Sequence, residues 1–198
     1  MKAVSKLLVL VTLTALSACA ANTIQTQTNL CPLDLVHSPS LAGLKLGMNV
    51  GEVKAKYPNS FDYSTLSWGE VDATSTTRIE NTSQVKCKFL DGTLYWMEVT
   101  YQGTVHEWKI DGFERKSKEK FGLKTEWLKS LSEHSEYCQC NGFELKISGP
   151  YEVLDSGRLR DFEPVIQIKD TKIADVASQR ESKHFDEERS KKQKDFSP

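Results

Sequence analysis

The sequence predicts an α+β fold in which hairpins build an antiparallel sheet, two short helices pack on it and a charged C-terminal helix follows. Two hairpin signals support this fold class, because apolar and polar residues alternate on both sides of Asp91-Gly92 and of Asn141-Gly142. The third observation is the capping-box spacing at Asn49 and at Asp111, where an N-cap side chain is followed three residues later by a glutamate. The expected folded domain spans residues 31–170.

Residues 1–18 have the pattern of a lipoprotein signal peptide. Two lysines precede the apolar run Leu7–Leu16, which is shorter than the about 20 residues that span a bilayer. The stretch Leu16-Ser17-Ala18-Cys19 matches the bacterial lipobox and predicts cleavage before Cys19, whose thiol is diacylated. Ordinary cleavage after Ala18 or Ala20 is the alternative, and it would leave a secreted protein.

An acylated Cys19 predicts stable attachment to a membrane, because two acyl chains anchor a protein firmly whereas one binds marginally. The next residue, Ala20, is not an aspartate, as is typical of lipoproteins passed to the outer membrane. Residues 19–30 are polar and predict a flexible tether. We therefore expect a bacterial envelope protein that is lipid-anchored, in the outer membrane, and faces the periplasm.

The composition and the motifs favour a binding or scaffold protein over an enzyme. The formal net charge is -1 and there is no strongly basic block, so nucleic-acid binding has no electrostatic support. The four histidines are scattered, and the sequence contains no metalloprotease, hydrolase, phosphate-loop or dinucleotide motif. We predict no catalytic residue, cofactor or metal; the expected partners are the membrane and another envelope protein.

Two short helices are predicted. The first spans Asn49–Tyr57, since its first residue and Glu52 have capping-box spacing and Pro58 ends the helix. The second spans Asp111–Phe121, and Gly122 follows in the position where a helix closes in the left-handed conformation.

The first hairpin has two possible registers. A two-residue Asp91-Gly92 turn would place Lys86 and Lys88 on the apolar face, so a three-residue Leu90–Gly92 turn with Gly92 as the bulge residue is preferred. This register gathers one apolar face, made of Val85, Cys87, Phe89, Tyr95, Met97, Val99 and Tyr101. The same register leaves Leu94 and Trp96 on the opposite face, beside the two lysines. Exposed apolar side chains at this position would indicate a partner-binding surface. The alternative is that a helix covers that face.

The second hairpin predicts a two-residue Asn141-Gly142 turn. Its inward residues are Cys138, Cys140, Phe143, Leu145 and Ile147, and its outward residues are Tyr137, Gln139, Glu144 and Lys146. Pro164–Asp170 is a further strand, with Val165 or Ile166 buried according to register. Phe61–Trp68 and Thr74–Ile79 are predicted edge strands.

Residues 171–198 form a highly charged tail. Three apolar residues near its start, Ile173, Val176 and Ala177, predict the docking of one or two helical turns. Glu187 with Lys191 and Glu188 with Lys192 have favourable four-residue spacing. No apolar stripe continues after about residue 180, which predicts a solvated, fraying helix; a partner-binding arm is the alternative.

The four cysteines other than Cys19 predict disulfides, since an even number in an exported chain is typical of bridges. Cys138 and Cys140 lie two apart on a strand, about 6.5 Å between alpha carbons, so a bond between them would be strained. The two open sets are Cys31–Cys138 with Cys87–Cys140, or Cys31–Cys140 with Cys87–Cys138. A redox-active C-x-C pair and a four-thiolate zinc site are the alternatives.

The stretch Gly43–Met48 and the helix through Val53 resemble the BamE-like (SmpA/OmlA) envelope lipoproteins. The resemblance implies helices packed on an antiparallel sheet, as in beta-lactamase inhibitor protein. The inner cysteines differ from that family, so the resemblance implies the fold and not the function in outer-membrane protein assembly. Two other functions remain open: an envelope thiol-disulfide protein that uses Cys138 and Cys140, and a secreted inhibitor-like module.

Overall fold

The computed structural model describes residues 30–103, 112–123, 127–130, 135–149, 151–153, 159–161 and 163–195. The three helices in this part of the chain are α1 (Val50–Lys56), α2 (Gly112–Phe121) and α3 (Thr171–Asp195). The described strands are β1 (Leu30–Asp34), β2 (Phe61–Thr65), β3 (Glu70–Ser75), β4 (Thr82–Leu90), β5 (Thr93–Tyr101), β6 (Leu128–Ser130), β7 (Ser135–Asn141), β8 (Phe143–Ser148), β9 (Tyr151–Val153), β10 (Leu159–Asp161) and β11 (Val165–Asp170). The predicted α+β class with a mostly antiparallel sheet is confirmed.

Nine of the described strands form one sheet: eight follow the order β1-β7-β8-β11-β5-β4-β3-β2, and β6 pairs with β7 beside this path. Within the described strands, β1 and β7 pair in parallel and every other pair is antiparallel. β9 and β10 form a separate two-stranded sheet. β11 is central, between β8 and β5, and it buries Ile166 and Ile168. The predicted strand is therefore confirmed, and of the two open registers the structure has the one that buries Ile166 rather than Val165.

The apolar residues form two clusters of unequal size. The main core includes the fully buried side chains Leu41, Leu44, Val53, Phe89, Leu94, Met97, Phe143, Leu145, Ile147 and Ile168. A smaller cluster contains Leu90, Tyr95 and Ala177, with Trp96, Ile173 and Ala174 packed against it. α3 contributes Ile173, Ala174 and Ala177, so this helix covers the second cluster.

The predicted capping box of the first helix is present. The Glu52 backbone N–H donates to Asn49 Oδ1 over 2.9 Å, and the Asn49 N–H donates to Glu52 Oε2 over 2.7 Å. Tyr57 caps the C-terminus, and its hydroxyl donates to the Ala42 carbonyl oxygen over 2.7 Å. The capping box thus gives hydrogen-bond acceptors to the backbone N–H groups of Asn49 and Glu52, which have no partner within the helix.

The end of α2 also follows its sequence pattern. Gly122 has a φ of +65°, and its N–H donates to the Glu119 carbonyl. The Leu123 N–H donates to the Lys118 carbonyl, which completes a Schellman motif. Phe113 is buried in the main core; the predicted first residue, Asp111, lies outside the described residues.

The first hairpin differs from its predicted register in one place. Leu90 pairs with Thr93 across a two-residue Asp91-Gly92 turn, in which both residues have positive φ, so the predicted three-residue turn is wrong. The pairing then shifts between Lys88 and Phe89, since Lys88 opposes Trp96 but Phe89 opposes Leu94. Tyr95 is the extra residue of a β-bulge, and the bulge keeps both lysines off the main core.

The bulge exchanges the predicted positions of two neighbouring residues. Leu94 packs in the main core and Tyr95 in the second cluster, the reverse of the prediction. The remaining inward residues of the hairpin lie as predicted, with Val85 opposite Val99 and Cys87 opposite Met97.

The second hairpin has the predicted register, with Cys138 opposite Leu145 and Gln139 opposite Glu144. Its five predicted inward residues are all buried. The predicted edge strand Phe61–Trp68 forms over Phe61–Thr65. The predicted edge strand Thr74–Ile79 is wrong, because the strand in this region is β3, at Glu70–Ser75, which pairs with β2. β3 is not an edge, because β4 pairs on its other side.

Candidate functional site

The parallel pairing of β1 with β7 places Cys31 directly beside Cys140. Their alpha carbons are 4.5 Å apart and the two sulfurs form a disulfide that joins residues 109 positions apart. This bridge belongs to one of the two predicted sets. The companion Cys87–Cys138 bridge is not formed, and both residues lie outside the disulfide.

The order of strands in the sheet explains why the predicted Cys87–Cys138 bridge is wrong. Cys138 lies on β7 and Cys87 on β4, and three strands separate them in the sheet. Neighbouring strands are about 4.8 Å apart, so these two alpha carbons are far beyond the about 7 Å limit for a disulfide. Two cysteines on the same face of one sheet bridge only when their strands are neighbours.

Three sulfurs therefore meet at one corner of the main core. The Sγ atoms of Cys31, Cys138 and Cys140 all lie within 4.8 Å of one another, and those of Cys138 and Cys140 are 4.0 Å apart. All three residues are at most 5% exposed. Cys87 is equally buried, and burial raises the pKa of its thiol to about 12.

A polar network lies on the opposite face of the sheet, beside the second cluster. The buried Glu70 carboxylate accepts hydrogen bonds from Lys88 Nζ over 2.8 Å and from the Tyr95 hydroxyl over 2.7 Å. Burial opposes the charge of Glu70, but these two donors outweigh it and lower the pKa of the carboxyl. Lys88 also lies 3.7 Å from Asp72, whose pKa is raised by burial and by the nearby Glu70 charge.

α3 is held along the sheet by polar contacts as well as by its apolar residues. Arg180 donates to both carboxylate oxygens of Asp91 over 2.8 Å, which fixes the helix to the β4–β5 turn. One turn later, His184 Nε2 lies 2.9 Å from the Ser67 hydroxyl. Val176, which was predicted to dock, is 42% exposed.

An aromatic patch forms where α3 meets the turn between β2 and β3. It consists of Trp68, His184 and Phe185, with ring centroids 5.5 to 5.9 Å apart. Phe185 is 49% exposed. Sequence reasoning placed Trp68 only at the end of a predicted edge strand and missed Phe185. The available signal for Phe185 was that it is a lone aromatic residue within a highly charged segment.

The predicted partner surface does not form as expected. Leu94 is fully buried in the main core and offers nothing to a partner. Trp96 is half-buried against the cluster that α3 covers, so a helix does cover that face. Trp127 packs against the main core, and Lys118 Nζ lies 5.2 Å from its ring centroid.

The second short helix borders an open pocket of about 230 Å³. Its apolar lining comes from Tyr101, Phe113, Phe121 and Ile166, and two lysines, Lys116 and Lys120, stand at its rim. The rings of Tyr101 and Phe113 are 5.5 Å apart. Burial raises the pKa of Tyr101 to about 12, so its hydroxyl is neutral at physiological pH.

The predicted acylation site and two of the four scattered histidines, together with one tryptophan, lie outside the described part of the chain. They are Cys19 with the whole signal peptide, His106, Trp108 and His134. His37 is exposed and its Nδ1 lies 2.6 Å from Asp34 Oδ1. Within the described residues, no helix combines the length and the apolar character needed to cross a bilayer.

Comparison with known proteins gave no match: not among family models, not among curated protein sequences and not among solved structures.

Proposed function

We propose that this protein is a lipid-anchored binding or scaffold protein of the bacterial cell envelope, attached to the outer membrane through acylated Cys19 and facing the periplasm. In this proposal, two short helices pack on the sheet and the charged C-terminal helix carries the partner-binding surface. The observation that supports a binding function is the aromatic patch of Trp68, His184 and Phe185.

The patch has the chemistry of an interface hot spot. Aromatic side chains bury large areas at little cost in side-chain entropy, and they dominate the binding energy of many protein interfaces. Trp68 and His184 are each partly buried, so they hold the exposed Phe185 ring from two sides. A partner that covers this ring would contact a preformed surface rather than order it on binding.

The helix beyond the patch adds a polar arm. Ten residues follow Phe185 before α3 ends, a rise of about 15 Å at 1.5 Å per residue. The described side chains of this arm are exposed and carry both signs of charge. A helix that is polar on all sides suits a bridge between domains or proteins, stabilised by ion pairs such as Asp186 with Arg189.

The resemblance of Gly43–Met48 to BamE-like lipoproteins adds an analogy of fold, and the proposal does not extend to their function in outer-membrane protein assembly. The partner that would bind the aromatic patch and the polar arm is another envelope protein rather than a small-molecule substrate.

The test places a photo-crosslinking amino acid at position 185 of the anchored protein in membranes and, as the control, at position 176. Both positions are exposed apolar sites on α3, but Val176 lies outside the patch. We expect one discrete adduct from position 185, lost on Trp68→Ala, and none from position 176. The intact mass of the same preparation should show a diacylated Cys19.

Equal adducts from both positions, or none from position 185, would contradict the binding surface. A mature mass without lipid would contradict the anchor. Phe185→Ala should change the free energy of unfolding by no more than about 0.5 kcal/mol, as for other surface substitutions. This result separates a binding role from a structural one.

A further inference from the structure

The corner of the core that holds three sulfurs contains every atom that a thiol-disulfide exchange requires. The disulfide joins Cys31 to Cys140, and Cys138 lies beside it as a thiol. Its Sγ is 4.0 Å from Cys140 Sγ, and all three sulfurs lie within 4.8 Å of one another. Exchange occurs when a thiolate attacks one sulfur of a disulfide and the other sulfur leaves.

We propose that Cys138 exchanges with the Cys31–Cys140 disulfide. The Cys138 thiol gives its proton to water, and the thiolate attacks Sγ of Cys140. The Cys138–Cys140 bond forms as the Cys31–Cys140 bond breaks, and the electron pair leaves on Sγ of Cys31, which takes up a proton. Nothing is oxidised or reduced overall, so the step needs no oxidant or reductant.

The geometry determines which of the two bonded forms predominates. Reacting atoms attack from about 3–3.5 Å, so the 4.0 Å separation needs only a small movement of the side chain. The product bond joins positions two apart on β7, where alpha carbons are about 6.5 Å apart and near the upper limit for disulfides. The Cys31–Cys140 pair, at 4.5 Å between alpha carbons, is therefore the major form.

The exchange changes how β1 is held. β1 is the terminal strand of the sheet path, and its pairing with β7 is short and irregular. In the major form a covalent bond secures this strand, and in the minor form only that pairing remains. Since the predicted tether precedes β1, the exchange would loosen the link between domain and anchor; this last consequence alone rests on the proposed anchor.

The test follows alkylation of the native protein by N-ethylmaleimide over time, with an acid quench and peptide mass mapping without reduction. Cys31 can take the label only after it has left its disulfide. We expect label on Cys31 in the wild-type protein, its loss in Cys138→Ala, and its retention in Cys87→Ala. Cys87 is the matched control, because it is an equally buried thiol on a distant strand.

Complete labelling of Cys138 with none on Cys31 would overturn the proposal. So would Cys31 labelling that persists in Cys138→Ala, or that accelerates with protein concentration, since both indicate another route. Zinc bound to the isolated protein, with thiols labelled only after metal removal, would instead identify a thiolate metal site.

A second variant covers the case in which the native fold shields every thiol from the reagent. In Cys31→Ser, only Cys138 and Cys140 remain in the corner. We expect oxidised glutathione to convert them into a Cys138–Cys140 disulfide, detected as a linked peptide. If the two residues stay as thiols or carry glutathione separately, the minor form does not exist and the proposal is wrong.

Discussion

At the scale of single residues, Glu70 shows how a buried carboxylate stays charged in this sheet. Each of its two oxygens accepts one hydrogen bond: Oε1 from Lys88 Nζ and Oε2 from the Tyr95 hydroxyl. Tyr95 reaches Glu70 because the bulge turns its side chain away from the main core, where Leu94 takes its place. A buried charge without partners would cost far more than one with two hydrogen bonds.

We expect Tyr95→Phe to lower the free energy of unfolding by about 2 kcal/mol, because a hydrogen bond to a charged group is lost and a buried oxygen is left without that donor. The pKa of Glu70 is lowered in the folded state, so its stabilising contribution is present above the unfolded pKa and is lost as pH falls through the folded pKa. Without Tyr95 the folded pKa rises, and the acid loss of stability should begin at higher pH. Urea unfolding across the acid range measures both effects.

Tyr63→Phe is the matched control for this substitution. The Tyr63 hydroxyl is buried on the same sheet and has no hydrogen-bond partner in the described part of the chain. Removing it should leave stability unchanged or slightly higher. Equal losses from both variants would mean that the Tyr95 hydroxyl bond adds nothing specific.

At the scale of elements, α3 docks through a narrow line of contacts rather than through a broad apolar face. Ile173 and Ala177 pack on the second cluster, Arg180 pairs with Asp91, and His184 contacts Ser67. These positions recur at three- and four-residue spacing and so share one side of the helix. Beyond residue 177, the contacts on this side of the helix come from polar and aromatic side chains. A search for apolar residues at helical spacing therefore does not reveal them.

We expect Asp91→Asn to increase amide hydrogen exchange in residues 180–190 and to leave β4 and β5 unchanged. Asparagine tolerates the positive φ of this turn position, so the turn is kept while the charge is removed. The hydrogen bond from Arg180 lowers the pKa of Asp91, so the pairing is present above the unfolded pKa and is lost as pH falls through the folded pKa. The wild-type helix should therefore loosen at low pH in the same residues.

Asp186→Asn provides the comparison for this variant. Asp186 pairs with Arg189 within the exposed part of α3 and does not tie the helix to the sheet. The Asp186→Asn variant should leave amide hydrogen exchange near residue 180 unchanged. Similar increases in both variants would show that general helix electrostatics, rather than docking at Asp91, controls α3.

At the scale of the whole molecule, the disulfide fastens one end of the sheet across a long stretch of chain. Cys31 and Cys140 are 109 residues apart, so the bond excludes many extended conformations of the unfolded chain. The strand it secures pairs only briefly with β7. The domain therefore has a covalent bond at an edge strand whose pairing is short and irregular.

We expect Cys31→Ala to lower the free energy of unfolding by about 2–4 kcal/mol, the usual contribution of such a bond. A reducing agent should destabilise the wild-type protein by a similar amount and have little further effect on the variant. Denaturant unfolding with and without reductant measures both. A wild-type protein that reductant leaves unchanged would show that the bond adds no stability.

The sequence by itself determined the local features of this protein: the capping box at Asn49, the closing glycine at position 122, and the Asn141-Gly142 hairpin with its inward cysteines. Each depends on residues a few positions apart, whose backbone preferences and alternation are visible in the chain. Only the tertiary structure decided the bulge at Tyr95, the pairing that joins Cys31 to Cys140 and excludes Cys87, and the docking line of α3. Those features depend on which distant segments become neighbours, and strand order, unlike a turn or a cap, is set by the packing of the whole sheet.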